Sequence, residues 1–176
     1  PTVVGWETAD LTISHNAAGG STVVAASGIG KLAGTGDLLT KTQIAFMSER
    51  DGNTEIYVVG PDGTGLTRLT ADPSVDRTPS WSPDGSRVIF ASERTGPREI
   101  FTMFRDGSGV TQITTALGVA AVDPSLSPDG TRFVIGGIVG GNTRDIYTLN
   151  ADGTGLTQIT TDPAFDQLPV WSPNGL

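Results

Sequence analysis

An all-β fold built from repeated four-stranded antiparallel sheets is predicted by three observations: a unit that recurs at about 45 residues, turn chemistry that recurs in phase with it, and short β-branched or aromatic runs between the turns. The strings WSPDG, LSPDG and WSPNG begin at residues 81, 126 and 171, 45 residues apart each time. Three longer segments keep step with them: IAFMSERDGNTEIYVV from Ile44, VIFASERTGPREIFTM from Val88 and FVIGGIVGGNTRDIYTL from Phe133. GPDGTGLTRLT (60–70), FRDGSGVTQIT (104–114) and NADGTGLTQIT (150–160) complete the unit. A four-stranded sheet at this period is the blade of a β-propeller; a β-sandwich of hairpins, the other all-β option, has no need of a fixed phase.

The elements follow in order. Residues 1–41 stand outside the repeat as an N-terminal Gly/Thr-rich β segment, with short apolar strands at 10–14, 21–27 and from 38 onward. They read as part of a sandwich or as a strand donor. Residues 42–176 carry the repeats, of which there are about three. The complete unit has a brief first strand at 79–82, stopped by Pro83-Asp84-Gly85-Ser86, where Pro presets φ and Asp-Gly supplies the turn. Strand two is 87–92, strand three is 99–104, and strand four is 110–114 after the turn Asp106-Gly107-Ser108-Gly109. Segments 71–78, 115–123 and 161–168 then lead to the next first strand. Trp81, Leu126 and Trp171 share one repeat position, which suits packing between adjacent blades. The third unit departs from the others, with Gly136-Gly137-Ile138-Val139-Gly140-Gly141 in place of Ser-Glu-Arg-Asp-Gly and Leu126 in place of Trp, and this predicts a different loop there or a different neighbour.

Charge and composition exclude several functions. Lys and Arg total 11 against 19 acids, a net charge of −8, the wrong sign for a phosphate-binding surface, so nucleic acid is not expected as a partner. The absence of Cys removes disulfides, thiolate metal sites and a cysteine nucleophile, and leaves the redox compartment open. No run approaches the ~20 apolar residues of a membrane-spanning helix. A chain that begins at Pro1 reads as processed or as an excerpt.

Catalytic constellations are not found. No G-x-S-x-G elbow or P-loop lies in the required strand-to-helix context, and a Ser-His-Asp arrangement would depend wholly on His15, which reads as a surface residue at a strand end. The only metal candidates are Asp51, Asn53 and Glu55, oxygen ligands in one tight loop that lacks the 12-residue pattern of a dedicated calcium loop. No cofactor is expected, calcium being the one weak option. Asp84, Asp129 and Asn174 read as turn residues whose side chains satisfy local amides. Asp72, Asp76, Asp162 and Asp166 recur because the repeat recurs. The interblade segments collect on one rim, where loops vary over a rigid scaffold. The middle one, with Leu117, Val119 and Val122 in an apolar stretch, is a candidate partner-binding surface, or else packs locally against the altered stretch of the third blade.

The pattern of an apolar strand, SERDG, EIY, DGTGLTRLT and PSWSPDG resembles the TolB-like, WD-type propeller repeat of bacterial proteins over residues 42–175. That resemblance implies a six- or seven-bladed scaffold, usually periplasmic or extracellular, which mostly binds other proteins and sometimes precedes a peptidase domain. Lyases on a similar propeller use several His residues at a metal, whereas this chain has only His15. The string GWETADLTISHN with GGSTVVAASG and KLAGTGDLL faintly resembles the later half of a cohesin-type β-sandwich.

Strand order carries the sharpest expectation. The first blade (42–70) has strands two to four without an inner first strand, and the chain ends with a lone first strand near 170–172. Propellers close with about four to eight blades, so three cannot close alone. The chain is then an excerpt of a longer propeller, or two chains join in a ring by exchanging first strands, or the same donation runs head to tail as a filament. Val170 and Trp171 become partner-binding candidates. The expected function is a non-catalytic, extracytoplasmic protein-binding or assembly module, with copies of itself as the expected partner. The alternatives are a structural filament subunit, or the propeller part of a larger peptidase or polysaccharide-active enzyme.

Overall fold

The computed structural model describes residues 42–140 and 143–175, together with the backbone of two short strands nearer the N-terminus. The chain divides into two units, Pro1–Asp37 and Leu38–Leu176. In the first, β1 (Thr12–Ile13) pairs antiparallel with β2 (Thr22–Val23). The other expectations for this region, including the cohesin-type likeness and the surface position of His15, lie outside the described residues.

The second unit is a succession of antiparallel meanders. The first sheet has the order β3 (Ile44–Ser48), β4 (Glu55–Val59), β5 (Thr67–Arg68). The second runs β6 (Asp76–Trp81), β7 (Arg87–Ser92), β8 (Glu99–Phe104), β9 (Thr111–Gln112). The third runs β10 (Ala120–Leu126), β11 (Arg132–Val139), β12 (Thr143–Asn150), β13 (Thr157–Gln158). These are the expected blades, and among the described residues the first has three strands where the others have four. No helix occurs among the described residues.

Local chemistry explains the turns. Asp84 Oδ1 accepts from Ser82 Oγ (2.5 Å) and the Ser86 amide (3.1 Å), and Asp129 Oδ1 repeats this with Ser127 (2.6 Å) and Thr131 (3.0 Å). Each aspartate thus pins a strand-one residue to the start of strand two.

Fourth strands are shorter than 110–114 implied. The Ile113 and Thr114 amides both aim at the Ile100 carbonyl (2.8 and 3.4 Å), and the Ile100 amide donates to Thr114 Oγ1 (2.9 Å) rather than to a backbone oxygen. This threonine clamp ends the ladder after two residues and recurs at Thr70 and Thr160. First strands are longer than expected, because β6 and β10 continue upstream through a bulge at their central residues, at Arg77 to Ser80 and Val122 to Ser125.

The core lies between the blades. Strand alternation sends Val88 and Phe90 of β7, with Phe101 and Met103 of β8, toward Ile56 of the first blade. Ile89, Ala91 and Ile100 face Ala121, Phe133, Ile135, Tyr147 and Leu149 of the third. Trp81 and Leu126 pack against these two clusters, as their shared repeat position implied.

The third blade corrects two expectations. Gly136 and Gly137 form no altered loop; β11 continues through them to Val139 in unbroken register with β12, from Arg132 opposite Asn150 to Val139 opposite Thr143. The missing side chains make room for neighbours. A Cβ on Gly137 would stand 2.5 Å from the Tyr147 ring and 3.2 Å from Val119 Cγ2, and one on Gly136 would stand 3.0 Å from Val122 Cγ2. Nor is 115–123 all rim loop, since Ala120, Ala121 and Val122 pair with Ile138, Gly137 and Gly136. Val122 is buried, while Leu117 and Val119 are half-buried against the core between the second and third blades.

The third correction concerns 170–172. No strand is formed there, because a first strand is defined by its ladder to strand two, and no second strand adjoins it among the described residues.

Candidate docking surface

The complete second blade shows what an inner strand needs. Asp76 opposes Ser92, Arg77 opposes Ala91, Ser80 opposes Ile89 and Trp81 opposes Val88, and the bulge is made by Thr78 in the left-handed region (φ 46°) just before Pro79. The Asp76 amide donates to the Thr54 carbonyl of the preceding blade (2.9 Å), which seats the strand. Its carboxylate is fully buried and accepts from Arg94 Nη2 (2.7 Å). Burial pushes the Asp76 carboxyl above its ordinary range, against the pull of the Ser92 hydroxyl and the Arg94 guanidinium. Arg94 is itself held by Ser92 Oγ (Nε, 2.9 Å) and by the Phe90 and Phe101 rings, 5.3 and 5.1 Å from its guanidinium carbon.

At one end of the unit, β3 is an edge strand among the described residues. Ile44 and Met47 on it are 51% and 49% exposed, whereas their counterparts Val88 and Ala91 on β7 are fully buried. Arg50 repeats the surroundings of Arg94. Its Nε donates to Ser48 Oγ (3.0 Å), and its guanidinium carbon lies 5.3 Å from the Phe46 ring and 4.7 Å from that of Tyr57. It lacks the carboxylate: Arg50 forms no ion pair among the described residues.

At the other end, residues 166–175 have the shape of an inner strand and its turn. Leu168 is left-handed (φ 57°) before Pro169, as are Thr78 before Pro79 and Asp123 (φ 51°) before Pro124. The Asp166 amide donates to the Arg144 carbonyl (2.8 Å), matching Asp76 to Thr54 and Ala121 to Arg98 (2.9 Å each). Trp171 Nε1 donates to the Ser125 carbonyl (3.2 Å), and Arg132 lies over its ring (4.9 Å). Ser172 Oγ donates to Asn174 Oδ1 (2.9 Å), and the Gly175 amide to the Ser172 carbonyl (2.9 Å), as in the two complete turns. Leu168 and Val170 are 68% and 81% exposed.

Of the five residues proposed from sequence for partner contact, Val170 is exposed, Leu117, Val119 and Trp171 are half-buried, and Val122 is buried. The three calcium candidates have divergent partners. Asp51 Oδ2 accepts from Tyr57 Oη (2.5 Å), Asn53 Nδ2 donates to the Asp72 and Ser74 carbonyls (2.8 and 3.1 Å), and Glu55 accepts from Arg68 (2.8 Å) and Thr70 (2.5 Å). No cluster of three or more metal-ligating side chains occurs among the described residues. Sequence reasoning read Asp76 and Asp166 only as marks of the repeat; the signal it missed was the Ser-Glu-Arg string at 48–50 and 92–94, whose second copy supplies the arginine that pairs with Asp76.

Meandering sheets packed face to face through aromatic and aliphatic side chains, seated by equivalent amide bonds at each junction, define a β-propeller segment. A family model described as TolB beta propeller domain matches residues 40–176, and the chain belongs to that family. It is similar to Protein TolB homolog of Chlorobaculum tepidum, with 43% identity over 47 residues, 27% of this chain and 11% of that protein. Among solved structures it is similar to TolB from Agrobacterium tumefaciens (27% identity, TM-score 0.60, 66% of this chain and 44% of that one). TolB from Acinetobacter baumannii gives 20% identity and a TM-score of 0.63 over 76% of this chain and 33% of that one, a likeness of fold. An oligogalacturonate lyase from Vibrio parahaemolyticus shares the fold at 15% identity and a TM-score of 0.56, over 74% of this chain and 39% of that one. The chain spans about a tenth of the length of the curated relatives it matches and less than half of these structures.

Proposed function

We propose that this chain is a non-catalytic protein-binding module, working outside the cytoplasm, that engages its partner by accepting an extended segment as a fourth strand on β3. The observation that carries this reading is the β3 edge, where a row of backbone groups is flanked by the half-exposed side chains Ile44 and Met47. Strand addition draws affinity from main-chain hydrogen bonds and specificity from alternate side chains, and β3 offers both. Placement outside the cytoplasm and a preference for protein partners rest on membership of the TolB propeller family. The net charge of −8 is consistent with a polypeptide rather than a polyphosphate partner.

A labelled synthetic peptide with the sequence of residues 76–84, the inner strand and turn of the second blade, tests this. Saturable binding to the full chain, lost in Ala45→Pro because proline removes an edge donor, is the expected result. Absence of saturable binding contradicts the reading. Circular dichroism of the proline variant separates a blocked edge from a misfolded sheet.

A further inference from the structure

We infer that the cleft between the second and third blades is a binding site for a small aromatic carboxylate, whose one or two rings lie where the first junction holds the indole of Trp81 and whose carboxylate meets Arg87. The site is separate from the β3 edge and is built only from the two four-stranded sheets.

Differences at equivalent repeat positions open the cleft. At the junction of the first and second blades, Trp81 and Leu69 pack against the buried cluster, Arg105 Nη2 reaches across to Gln43 Oε1 (3.2 Å), and Val58 is buried. At the junction of the second and third blades the same three positions hold Leu126 for Trp81, Ala151 for Arg105 and Thr102 for Val58. Two small side chains thus stand together where the first junction has two large ones. A cleft of about 300 Å³ remains there, walled by Ile89, Thr102 and Ile113 of the second blade and by Leu126, Phe133 and Ala151 of the third. Sheets that pack closely elsewhere leave a space of this size where a ligand can use it.

Two polar groups in the cleft name the ligand. Thr102 is 7% exposed, and its Oγ1 has no hydrogen-bond partner among the described residues. The other two hydroxyls of the lining are taken, Ser82 Oγ by Asp84 and Thr111 Oγ1 by the Gly109 carbonyl (3.1 Å). A buried hydroxyl without a partner is costly, and a ligand atom that bonds it removes that cost. Arg87 also lines the cleft, beside the turn at 83–86. Its guanidinium carbon lies 4.3 Å from the Phe104 ring and forms no ion pair among the described residues. In the first blade this position is Gln43, which accepts from Arg105; here Ala151 offers Arg87 no polar group. Arg87 opposes Phe104 and Ile89 opposes Thr102, so along the β7–β8 ladder the cation stands nearer the turn and the hydroxyl deeper. Apolar walls, one buried hydroxyl and one guanidinium without a carboxylate suit a flat ring whose acidic group points to the turn.

The test titrates the full chain into indole-3-acetate and follows the ring protons of the ligand by NMR. Saturable binding with a Kd at or below about 1 mM is expected. L126W, which sets an indole in the cleft as Trp81 does at the first junction, should weaken it by at least about tenfold, and T102V by roughly fivefold. Indole, which lacks the carboxylate, should bind more weakly than indole-3-acetate to the unaltered chain and equally well to R87Q, a difference that general unfolding does not produce. Should L126W fail to fold, A151R with R87Q copies Arg105 and Gln43 of the first junction, fills the same space and should lose indole as well. Absence of saturable binding up to about 10 mM ligand, or equal binding to the unaltered chain and to a folded L126W, would overturn the inference. Either result leaves strand acceptance at β3 standing.

Discussion

The guanidinium of Arg94 lies 2.7 Å from the carboxylate of Asp76, which is completely shielded from solvent between two sheets. A buried pair of this kind contributes little over an apolar replacement, but breaking it strands a charge. Arg94→Val alone is therefore expected to lower unfolding stability by roughly 3 kcal/mol. Asp76→Ala with Arg94→Val, which reproduces the Ala121 and Val139 of the third blade, should lose less than the single change. Urea unfolding of the two variants and Asp76→Ala closes the cycle.

Thr114 predicts a second vulnerability. Its Oγ1 donates to Glu99 Oε2 (2.5 Å) while accepting the Ile100 amide (2.9 Å), and all of this is buried. Thr114→Val removes both bonds and leaves a buried carboxylate and amide unsatisfied, a loss of about 2–3 kcal/mol. Thr160→Val should lose less, because Thr160 serves only the Ile146 amide (3.0 Å) while Asp145 takes Gln158 instead (3.1 Å). Chemical denaturation of the pair, with Thr114→Ser as the conservative control, checks the order.

Gly153 reads out the contact between neighbouring blades. It has φ 86°, and a Cβ there would run into the Ile113 carbonyl of the preceding blade; Gly63, at the equivalent turn of the first blade with φ 81°, faces open space. Gly153→Ala is expected to destabilise by about 1–3 kcal/mol more than Gly63→Ala, since both incur the left-handed penalty and only one meets backbone. The difference in melting temperature between the variants tests it.

The aspartate turns set the acid limit. Hydrogen bonds from Ser82 and from the Ser86 amide and hydroxyl push the Asp84 carboxyl down to about 2, and those from Ser127 and Thr131 do the same for Asp129, also to about 2. Asp62, Asp106 and Asp152 are lowered by the same kind of turn. A depressed folded-state pKa stabilises above the unfolded value of about 3.9 and is lost as pH falls through the folded value. Asp76 acts oppositely, its raised carboxyl favouring the folded state as pH falls. With five lowered turn aspartates against the one raised carboxyl of Asp76, stability should decline from about pH 4 toward pH 2. Asp84→Asn and Asp129→Asn together should flatten that decline in acid-dependent denaturation curves.

What was legible in the sequence is what the repeat writes locally. The Ser-Pro-Asp-Gly turns, the apolar runs and the shared position of Trp81, Leu126 and Trp171 fixed the blades and their order, with three strands in the first among the described residues. Gly136 and Gly137 misled because a residue without a side chain carries no periodicity, and only the tertiary placement of Tyr147, Val119 and Val122 shows that they lie in a strand. The bulge at Thr78, Asp123 and Leu168 was hidden for a related reason: threonine and leucine rarely adopt a left-handed backbone, and the proline after each position removes the helical option without selecting this one. The pairing of Asp76 with Arg94 joins β6 to the turn that follows β7, 18 residues on, and no local pattern reveals it.

The most direct test of the account is a titration of the labelled 76–84 peptide against the full chain, read by fluorescence anisotropy. Acceptance of an extended segment by the β3 edge predicts saturable binding that is lost in Ala45→Pro. No saturable binding, or binding unchanged in a folded Ala45→Pro variant, would contradict it.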